Sequence, residues 1–136
     1  KKRRMYNCAM QLVTRPEQFG VLLMDNLYGD ILSYLGAGLV GGLGVVPGSN
    51  IGNECAVFEA VHGSAPDLAG KGRANPTAVI RSAAQLVAHL GEIDAAARIE
   101  SAVLTALSDP TNQPGDLGGK ASTDQLTDAI LRELED

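Results

Sequence analysis

The chain has 136 residues, of which 45% are hydrophobic and 20% are charged, enough for the core of one ordinary globular domain. Its net charge of −5 argues against nucleic acid as a partner, because phosphate binding needs a basic surface. The sequence has no long uncharged apolar run, so we expect no membrane-spanning helix.

The opening residues, "KKRR", form the basic cluster of the sequence. A localisation signal or a phosphate-binding patch is one interpretation, and we favour a solvated terminus. No Met precedes the cluster, which we interpret as the mark of a cut. Cys8 and Cys55 lie far apart without CxxC spacing, and we favour two buried thiols over a disulfide. We see no signal peptide, so we expect a cytoplasmic or mitochondrial-matrix protein.

The first half of the chain predicts two helices and three short strands. A helix over "NCAMQLVTRPEQF" is ended by Pro16, and a second helix begins at about Tyr28. Between them, the continuous apolar run "VLLM" is typical of a strand buried on both faces. The stretch "GLGVVPGSNIGNE" predicts a strand that leads into a Pro-Gly-Ser-Asn turn, and "CAVFEAV" predicts a further strand.

The second half predicts three helices. Pro76 begins the first of them, and Gly91 ends it. We place its apolar face at Val79, Ala83, Leu86, Val87 and Leu90. A second helix follows over "EIDAAARIESAVLTALSD". The last helix is capped by Ser122, and its inward residues are Leu126, Ile130 and Leu134. Strands among helices indicate an α/β protein, which we predict to be a single domain over residues 1–136.

The segment "GAGLVG" matches the G-x-G-x-x-G pattern of dinucleotide-binding folds. That pattern needs a strand directly before it and a helix that opens at it. Here the glycines fall late in a predicted helix. We interpret them as small residues that allow close helix packing, and we reject a Rossmann fold.

Asp30 lies four residues before Tyr34 in "NLYGDILSYL", so on a helix both side chains lie on one face. Two carboxylates at this spacing would suit a hard divalent cation. The phenol of Tyr34 is instead neutral at pH 7 and a poor ligand for such an ion. The alternative is that Asp30 only complements the dipole at a helix start.

The segment "EAVHGSAPDLAGKGRANP" runs from a predicted strand to a predicted helix. Backbone N–H groups in such a loop and at the helix N-terminus can cradle a phosphate. His62 can stack on a base and Asn75 can read an adenine edge. Asp67 can accept a hydrogen bond from a ribose 2′-hydroxyl and repel a 2′-phosphate, which favours NAD over NADP. The alternative, a surface turn with an incidental His, is equally compatible with the spacing alone.

Four segments carry a resemblance to a known family: "NLYGDILS", "GLVGGLGVVPGSNIG", "FEAVHGSAPDLAGKGRANPTA" and "DLGG". In order and spacing they resemble the C-terminal part of the β-decarboxylating dehydrogenases, the isocitrate and 3-isopropylmalate dehydrogenases. The resemblance covers residues 6–130 and is strongest to the NAD-dependent isocitrate branch. It implies part of the isocitrate/isopropylmalate dehydrogenase-like fold, in which short strands are layered with helices. Full-length relatives oxidise a 2-hydroxy acid by hydride transfer to NAD and then decarboxylate it.

The resemblance implies that the loop binds the adenosine end of NAD. It assigns nucleotide contacts to seven loop residues and places two further acids nearby. These residues are His62, Gly63, Ser64, Ala65, Asp67, Leu68 and Asn75, with Glu59 and Asp116 as the nearby acids. An acid at the position of Asp67 is similar to the NAD-using members.

Family members also bind Mg²⁺ or Mn²⁺ through acids of "GDxxSD" and an Asp before "MQLV" that is donated across a dimer. Asp30 matches the first of these acids, whereas Tyr34 and Tyr6 occupy the positions of the others. The resemblance therefore leaves Asp30 as the one metal ligand of this chain. One carboxylate is too little for tight Mg²⁺ binding.

The family's substrate-binding serine and arginines and its Tyr/Lys acid–base pair lie in an N-terminal portion that nothing in this chain resembles. We therefore expect a truncated dehydrogenase with no catalytic residues of its own and little or no activity. The alternatives are a non-catalytic regulatory subunit or nucleotide-binding module, and a purely structural fragment. As partners we expect NAD and either a related dehydrogenase subunit or a second copy, held through the glycine-rich face of "ILSYLGAGLVGG".

Overall fold

A computed structural model describes residues 2–135, so Lys1 and Asp136, the ends of the predicted domain, lie outside the described residues. The chain divides into two compact units, of which the first ends at Gly42 and the second begins at Leu43. The single domain predicted for residues 1–136 stays a prediction. In the described part of the chain, no helix is both long enough and apolar enough to cross a lipid bilayer.

The first unit contains two helices, α1 (Met5–Thr14) and α2 (Asn26–Leu39). The first helix ends before Pro16, as predicted, because a prolyl ring opens the short 3-10 helix Pro16–Gln18. The segment "GAGLVG" lies in the last turns of α2 and just after it, where Gly41 has a φ of 115°. The prediction that these glycines fall late in a helix is confirmed, whereas the dinucleotide fingerprint needs a helix that opens at them.

The prediction of a buried strand over residues 21–24 is wrong for this structure. The segment forms no strand, and Val21 and Leu23 are 92% and 99% exposed. A buried strand needs neighbouring strands in a sheet that other elements cover, and the described residues of this unit contain no sheet.

The second unit begins with a two-stranded antiparallel sheet, β1 (Pro47–Ile51) and β2 (Ala56–Ala60). Pro47 lies opposite Ala60, and Ile51 lies opposite Ala56. The predicted Pro-Gly-Ser-Asn turn is wrong, because these residues form β1 itself. Pro47 is tolerated there as the first residue of the strand. The chain reverses instead at residues 52–55, where Gly52 N donates to Cys55 O at 2.9 Å.

Three helices complete the second unit: α3 (Thr77–His89), α4 (Ile93–Ser108) and α5 (Thr123–Glu135). The sheet packs on α3, α3 packs on α4, and α4 packs on α5. The predicted cap of the last helix is confirmed, because Gln125 N donates to Ser122 Oγ at 3.1 Å. Ser122 N donates in return to Gln125 Oε1 at 2.8 Å, which completes a capping box.

The core lies between α4 and α5. Its buried members are Ala102, Val103, Ala106, Leu126, Ala129 and Ile130. The predicted inward face of α5 is confirmed, since Leu134 packs against this cluster. The predicted face of α3 is wrong, because its buried residues include Ala78 and Ser82. Ser82 Oγ lies 2.7 Å from Glu59 O, and small side chains on this face bring α3 close to β2.

The α/β class is confirmed in a mostly helical form, with one small sheet among the described residues. Cys8 is buried and Cys55 is exposed, and both are free thiols. The prediction of unbridged cysteines therefore holds, whereas burial is wrong for Cys55. Cys55 is the last residue of the chain reversal between β1 and β2, where no described element covers it.

Candidate functional site

The candidate site begins at the loop between β2 and α3. At its centre Ala65 has φ 41° and ψ 62°, in the left-handed region that costs a non-glycine residue about 1–2 kcal/mol. His62 Nδ1 lies 2.9 Å from Gly63 O. Since a carbonyl oxygen only accepts, Nδ1 carries the proton in this contact. In the neutral ring Nε2 is then left as a free acceptor.

The second half of the loop is fastened to the start of α5. Thr123 N donates to Gly72 O at 2.9 Å, and Thr123 Oγ1 donates to Ala74 O at 2.6 Å. Gly70 and Gly72 have φ values of 71° and 60°, which the missing side chain permits. The path of the loop is therefore set by contacts with Thr123, which lies 49 residues after Ala74 and 51 residues after Gly72.

Asn75 joins two segments of the site. Its Oδ1 accepts from Thr77 N at 3.0 Å, which satisfies a free N–H at the start of α3. Its Nδ2 donates to Asp116 Oδ2 at 3.0 Å. Both ends of the amide are engaged, so the side chain has one unused N–H. Reading an adenine edge would use this N–H together with the second lone pair of Asn75 Oδ1.

Gly44 provides the space that Asp116 occupies. A Cβ at this position would lie 2.2 Å from Asp116 Oδ2 and 3.2 Å from Asn75 Nδ2. Any side chain there would push the carboxylate away. A glycine from the short 3-10 helix Leu43–Val45 thus determines where an acid of the "DLGG" segment lies.

These segments line an open groove of about 840 Å³ in the second unit, within the size range of small-molecule sites. Seven of the nine predicted cofactor residues line it: His62, Gly63, Ser64, Ala65, Leu68, Asn75 and Asp116. The structure therefore brings the predicted loop together with the distant "DLGG" segment.

Glu59 and Asp67 do not line the groove. Glu59 lies on β2, where its Oε1 accepts from Asn50 Nδ2 at 3.3 Å. Asp67 lies exposed in the 3-10 helix Pro66–Leu68, next to Leu68, which does line the groove. The roles predicted for these two acids stay predictions.

Several lining residues were not predicted, chiefly Leu43, Gly44, Arg73, Thr123 and Asp124. Arg73 stands two residues before Asn75 in "GKGRANP", so its position in the motif was the available signal. The other residues approach only through the tertiary fold. No local pattern could have identified them.

The described residues of the first unit, 2–42, do not form a complete metal site. Asp30 Oδ2 accepts from Asn26 Nδ2 at 3.3 Å, and Tyr34 and Tyr6 are 53% and 65% exposed. Among residues 2–135, no group of three or more His, Cys, Asp or Glu side chains is placed to hold a metal ion. One carboxylate with neutral phenols does not fit a Mg²⁺ ion held by this chain alone.

Replacing Asn75 by alanine is expected to lower the free energy of unfolding by about 1 kcal/mol, because Thr77 N loses its acceptor. Urea denaturation followed by circular dichroism measures this loss. Asn75→Ser keeps an oxygen acceptor for Thr77 N without adding a charge beside Asp116, and it should recover most of the stability. Asn53→Ala, in the exposed turn between the strands, serves as control and should change stability by less than about 0.5 kcal/mol. Equal losses in Asn75→Ala and Asn75→Ser would contradict the capping role.

The chain is similar to known proteins along nearly its whole length. A family model described as "Isocitrate/isopropylmalate dehydrogenase" matches residues 2–130. The isocitrate/homoisocitrate dehydrogenase of Thermus thermophilus is 59% identical over 129 residues, which cover 95% of this chain and 38% of that protein. A regulatory subunit of the mitochondrial NAD isocitrate dehydrogenase of Dictyostelium discoideum is 52% identical, and the match covers 94% of this chain and 36% of that protein.

Among solved structures, isocitrate dehydrogenase from Methylococcus capsulatus superposes with a TM-score of 0.93 at 49% sequence identity. The match covers 98% of this chain and 40% of that chain. This agreement confirms the predicted dehydrogenase-like fold. The chain spans well under half the length of each of these relatives.

Proposed function

Because the chain belongs to the isocitrate/isopropylmalate dehydrogenase family, we propose that its second unit binds the adenosine end of NAD. In this proposal the chain is the nucleotide half-site of an NAD-dependent isocitrate dehydrogenase-like protein. The observation that carries the proposal is the bond from Asn75 Nδ2 to Asp116 Oδ2. It holds two predicted nucleotide-binding segments at one groove.

The groove offers complementary groups for an adenine nucleotide. His62 presents a ring face for stacking and Nε2 as an acceptor, while Asn75 retains one free N–H as a donor. Arg73 contributes a positive charge at the groove wall, suited to a phosphate. The proposed contact of Asp67 with a ribose 2′-hydroxyl requires the bound ribose to reach the outer side of the 3-10 helix Pro66–Leu68.

The bound NAD would accept a hydride from a 2-hydroxy acid, which is the chemistry that the cofactor supplies. The residues of this chain would bind the nucleotide and orient it. Substrate binding and acid–base chemistry would come from polypeptide that this chain does not match in its longer relatives. We propose that the metal site is degraded at Tyr6 and Tyr34, so that Asp30 alone contributes a carboxylate.

A second candidate function is that of a non-catalytic regulatory subunit. The observation in its favour is the pair of exposed phenols at Tyr6 and Tyr34 in place of metal-binding acids. One relative carries the name of a regulatory subunit of an NAD-dependent isocitrate dehydrogenase, which supports this candidate. In either case we propose association with a related dehydrogenase subunit, in the cytoplasm or the mitochondrial matrix.

The first experiment is a calorimetric titration of the chain with NAD, with ADP-ribose and with NADP. We expect saturable binding of NAD and of ADP-ribose, because the groove contacts only the adenosine half. NADP should bind at least roughly tenfold more weakly if Asp67 repels a 2′-phosphate. Asp67→Ala should reduce the ratio between the dissociation constants for NADP and NAD.

Two histidine variants make the test specific to the groove. His62→Ala should weaken ADP-ribose binding at least roughly tenfold, the effect expected for loss of a base-stacking contact. His89→Ala is the matched control, since His89 lies on α3 against Phe58, with ring centroids 5.5 Å apart, and does not line the groove. Absence of binding by all three nucleotides, or equal effects of the two variants, would overturn the proposed site.

Restoring the acids distinguishes the two candidate functions. In a full-length chimera, Tyr6→Asp with Tyr34→Asp should restore Mn²⁺ binding if the chain derives from a catalytic subunit. Calorimetry with Mn²⁺ provides the measurement. A chimera that remains unable to bind the metal would favour the regulatory subunit.

A further inference from the structure

Arg81 on α3 connects that helix to α4 and to the 3-10 helix Leu43–Val45. Its Nε donates to Glu100 Oε2 on α4 at 3.0 Å, and its Nη1 donates to Val45 O at 2.8 Å. Val45 is the last residue of its helix, and the carbonyls at a helix end need partners from outside the helix. One guanidinium therefore binds a carboxylate on one side and a main-chain oxygen on the other.

The ion pair between Arg81 and Glu100 is partly exposed, with 31% and 33% of the two side chains accessible to water. Such a pair contributes little to stability, because water screens its charges. Its larger effect is on direction. The guanidinium is planar and its N–H groups point in fixed directions, so a carboxylate bound at Nε also sets the direction of Nη1. Glu100 thereby orients Arg81 toward the carbonyl of Val45.

The bond from Arg81 is short compared with the main-chain bonds of the same segment. Val46 N donates to Leu43 O at 3.3 Å, and Val61 N donates to Val46 O at 3.4 Å. Both distances lie beyond the usual range of about 2.7–3.2 Å for N–H···O hydrogen bonds. The 2.8 Å bond from Arg81 is therefore the tightest of these contacts to the segment.

The carbonyl that Arg81 holds lies next to a residue of the candidate groove. Val45 directly follows Gly44, which lines the groove, whereas Arg81 does not. A Cβ at Gly44 would lie 2.2 Å from Asp116 Oδ2, so the carboxylate of Asp116 occupies the space beside Gly44. The same carboxylate accepts from Asn75 Nδ2 at 3.0 Å. A movement of Val45 would therefore shift Gly44 against the two side chains that join the halves of the groove.

We propose that Arg81 is a positioning residue for the nucleotide groove and that Glu100 orients it. The guanidinium fixes the carbonyl of Val45, and with it the place of Gly44 beside Asp116. This inference rests on the proposed binding of an adenine nucleotide at the groove. Neither Arg81 nor Glu100 lines the groove, so both act on binding through the main chain of Val45.

The first test compares two arginines that each hold a main-chain oxygen. Arg81→Leu removes the guanidinium and should weaken ADP-ribose binding about tenfold, measured by calorimetric titration. Arg98→Leu is the matched control, because Arg98 Nη2 donates to Leu134 O at 2.6 Å and Arg98 does not line the groove. Its affinity should stay within about twofold of the parent chain. Circular dichroism checks that both variants fold.

Two variants of Glu100 test whether orientation is the cause. Glu100→Gln keeps an oxygen acceptor for Arg81 Nε and should bind ADP-ribose within about threefold of the parent chain. Glu100→Ala leaves the guanidinium without its orienting partner and should weaken binding more than Glu100→Gln does. Equal affinities of the two Glu100 variants would contradict the orienting role.

The position of Gly44 is measured without nucleotide by heteronuclear NMR. The main-chain amide of Gly44 and the side-chain amide of Asn75 should change chemical shift in Arg81→Leu and keep their shifts in Arg98→Leu. A loss of stability elsewhere in the unit would not move these two signals selectively.

The outcomes for this inference and for the proposed function are distinct. A parent chain that fails to bind ADP-ribose would overturn the proposed function, and the two amide signals would still decide whether Arg81 positions Gly44. The positioning role itself would be overturned if Arg81→Leu bound with the parent affinity, if Arg98→Leu lost as much, or if both amide signals stayed unchanged in Arg81→Leu.

Discussion

Replacing Leu126 by alanine is expected to lower the free energy of unfolding by about 2–5 kcal/mol. Leu126 is 0% exposed and lies in the cluster between α4 and α5, beside Val103 and Ile130. The loss combines the transfer free energy of the removed atoms with the cavity that remains. Since single domains are stable by only about 5–15 kcal/mol, this change removes a large share of the total.

The matched control is Leu131→Ala on the same helix, where Leu131 is 51% exposed. Its cost should stay below about 1 kcal/mol, because little apolar surface returns to water. Urea denaturation of both variants, analysed at a common slope, gives the two values. Comparable losses would show that the helix pair does not form the principal core of the second unit.

Replacing Gly119 by alanine is expected to destabilise the second unit by about 1–3 kcal/mol and to weaken nucleotide binding at least roughly tenfold. A Cβ there would lie 1.9 Å from Gln113 O and 2.6 Å from Gln113 C. Both are backbone atoms, so the clash cannot be relieved by a side-chain rotation. The "DLGG" segment must shift and carry Asp116 away from Asn75.

Gly115→Ala provides the control within the same loop, because a Cβ at Gly115 has no neighbour within 4 Å. It should leave stability within about 0.5 kcal/mol of the parent chain. Thermal denaturation and an ADP-ribose titration on each protein separate the two effects. A Gly119→Ala protein that is as stable as Gly115→Ala would contradict the close approach to Gln113.

The sequence predicted those parts of the fold whose signals are local. Ser122 and Gln125 form the cap of α5 within three residues of each other, and Pro16 ends α1 by its own covalent structure. The strand predicted over residues 21–24 does not form, because no described strand lies beside it to pair with. The face of α3 was misjudged for a related reason: Ala78 and Ser82 are buried by the sheet, which lies elsewhere in the sequence.

In the candidate site too, residues with a local sequence signal were predicted, and residues that approach through the tertiary fold were not. One continuous motif placed His62 and Asn75 on the same loop, and the resemblance added Asp116. The requirement for glycine at position 44 could not be predicted from the sequence, because it arises from contact with the carboxylate of Asp116, 72 residues later. Asp67, chosen for its charge, lies outside the groove because the 3-10 helix turns Leu68 toward it instead.

The exposed side chains of Val21 and Leu23 also affect the expected lifetime of the chain in a cell. An exposed apolar edge with free main-chain groups is a template for aggregation at high concentration. Chaperones and proteases act on such surfaces, so an uncovered chain would be cleared faster than a covered one. A polypeptide that leaves Val21 and Leu23 exposed to water is therefore expected to be short-lived in a cell and prone to precipitate at high concentration.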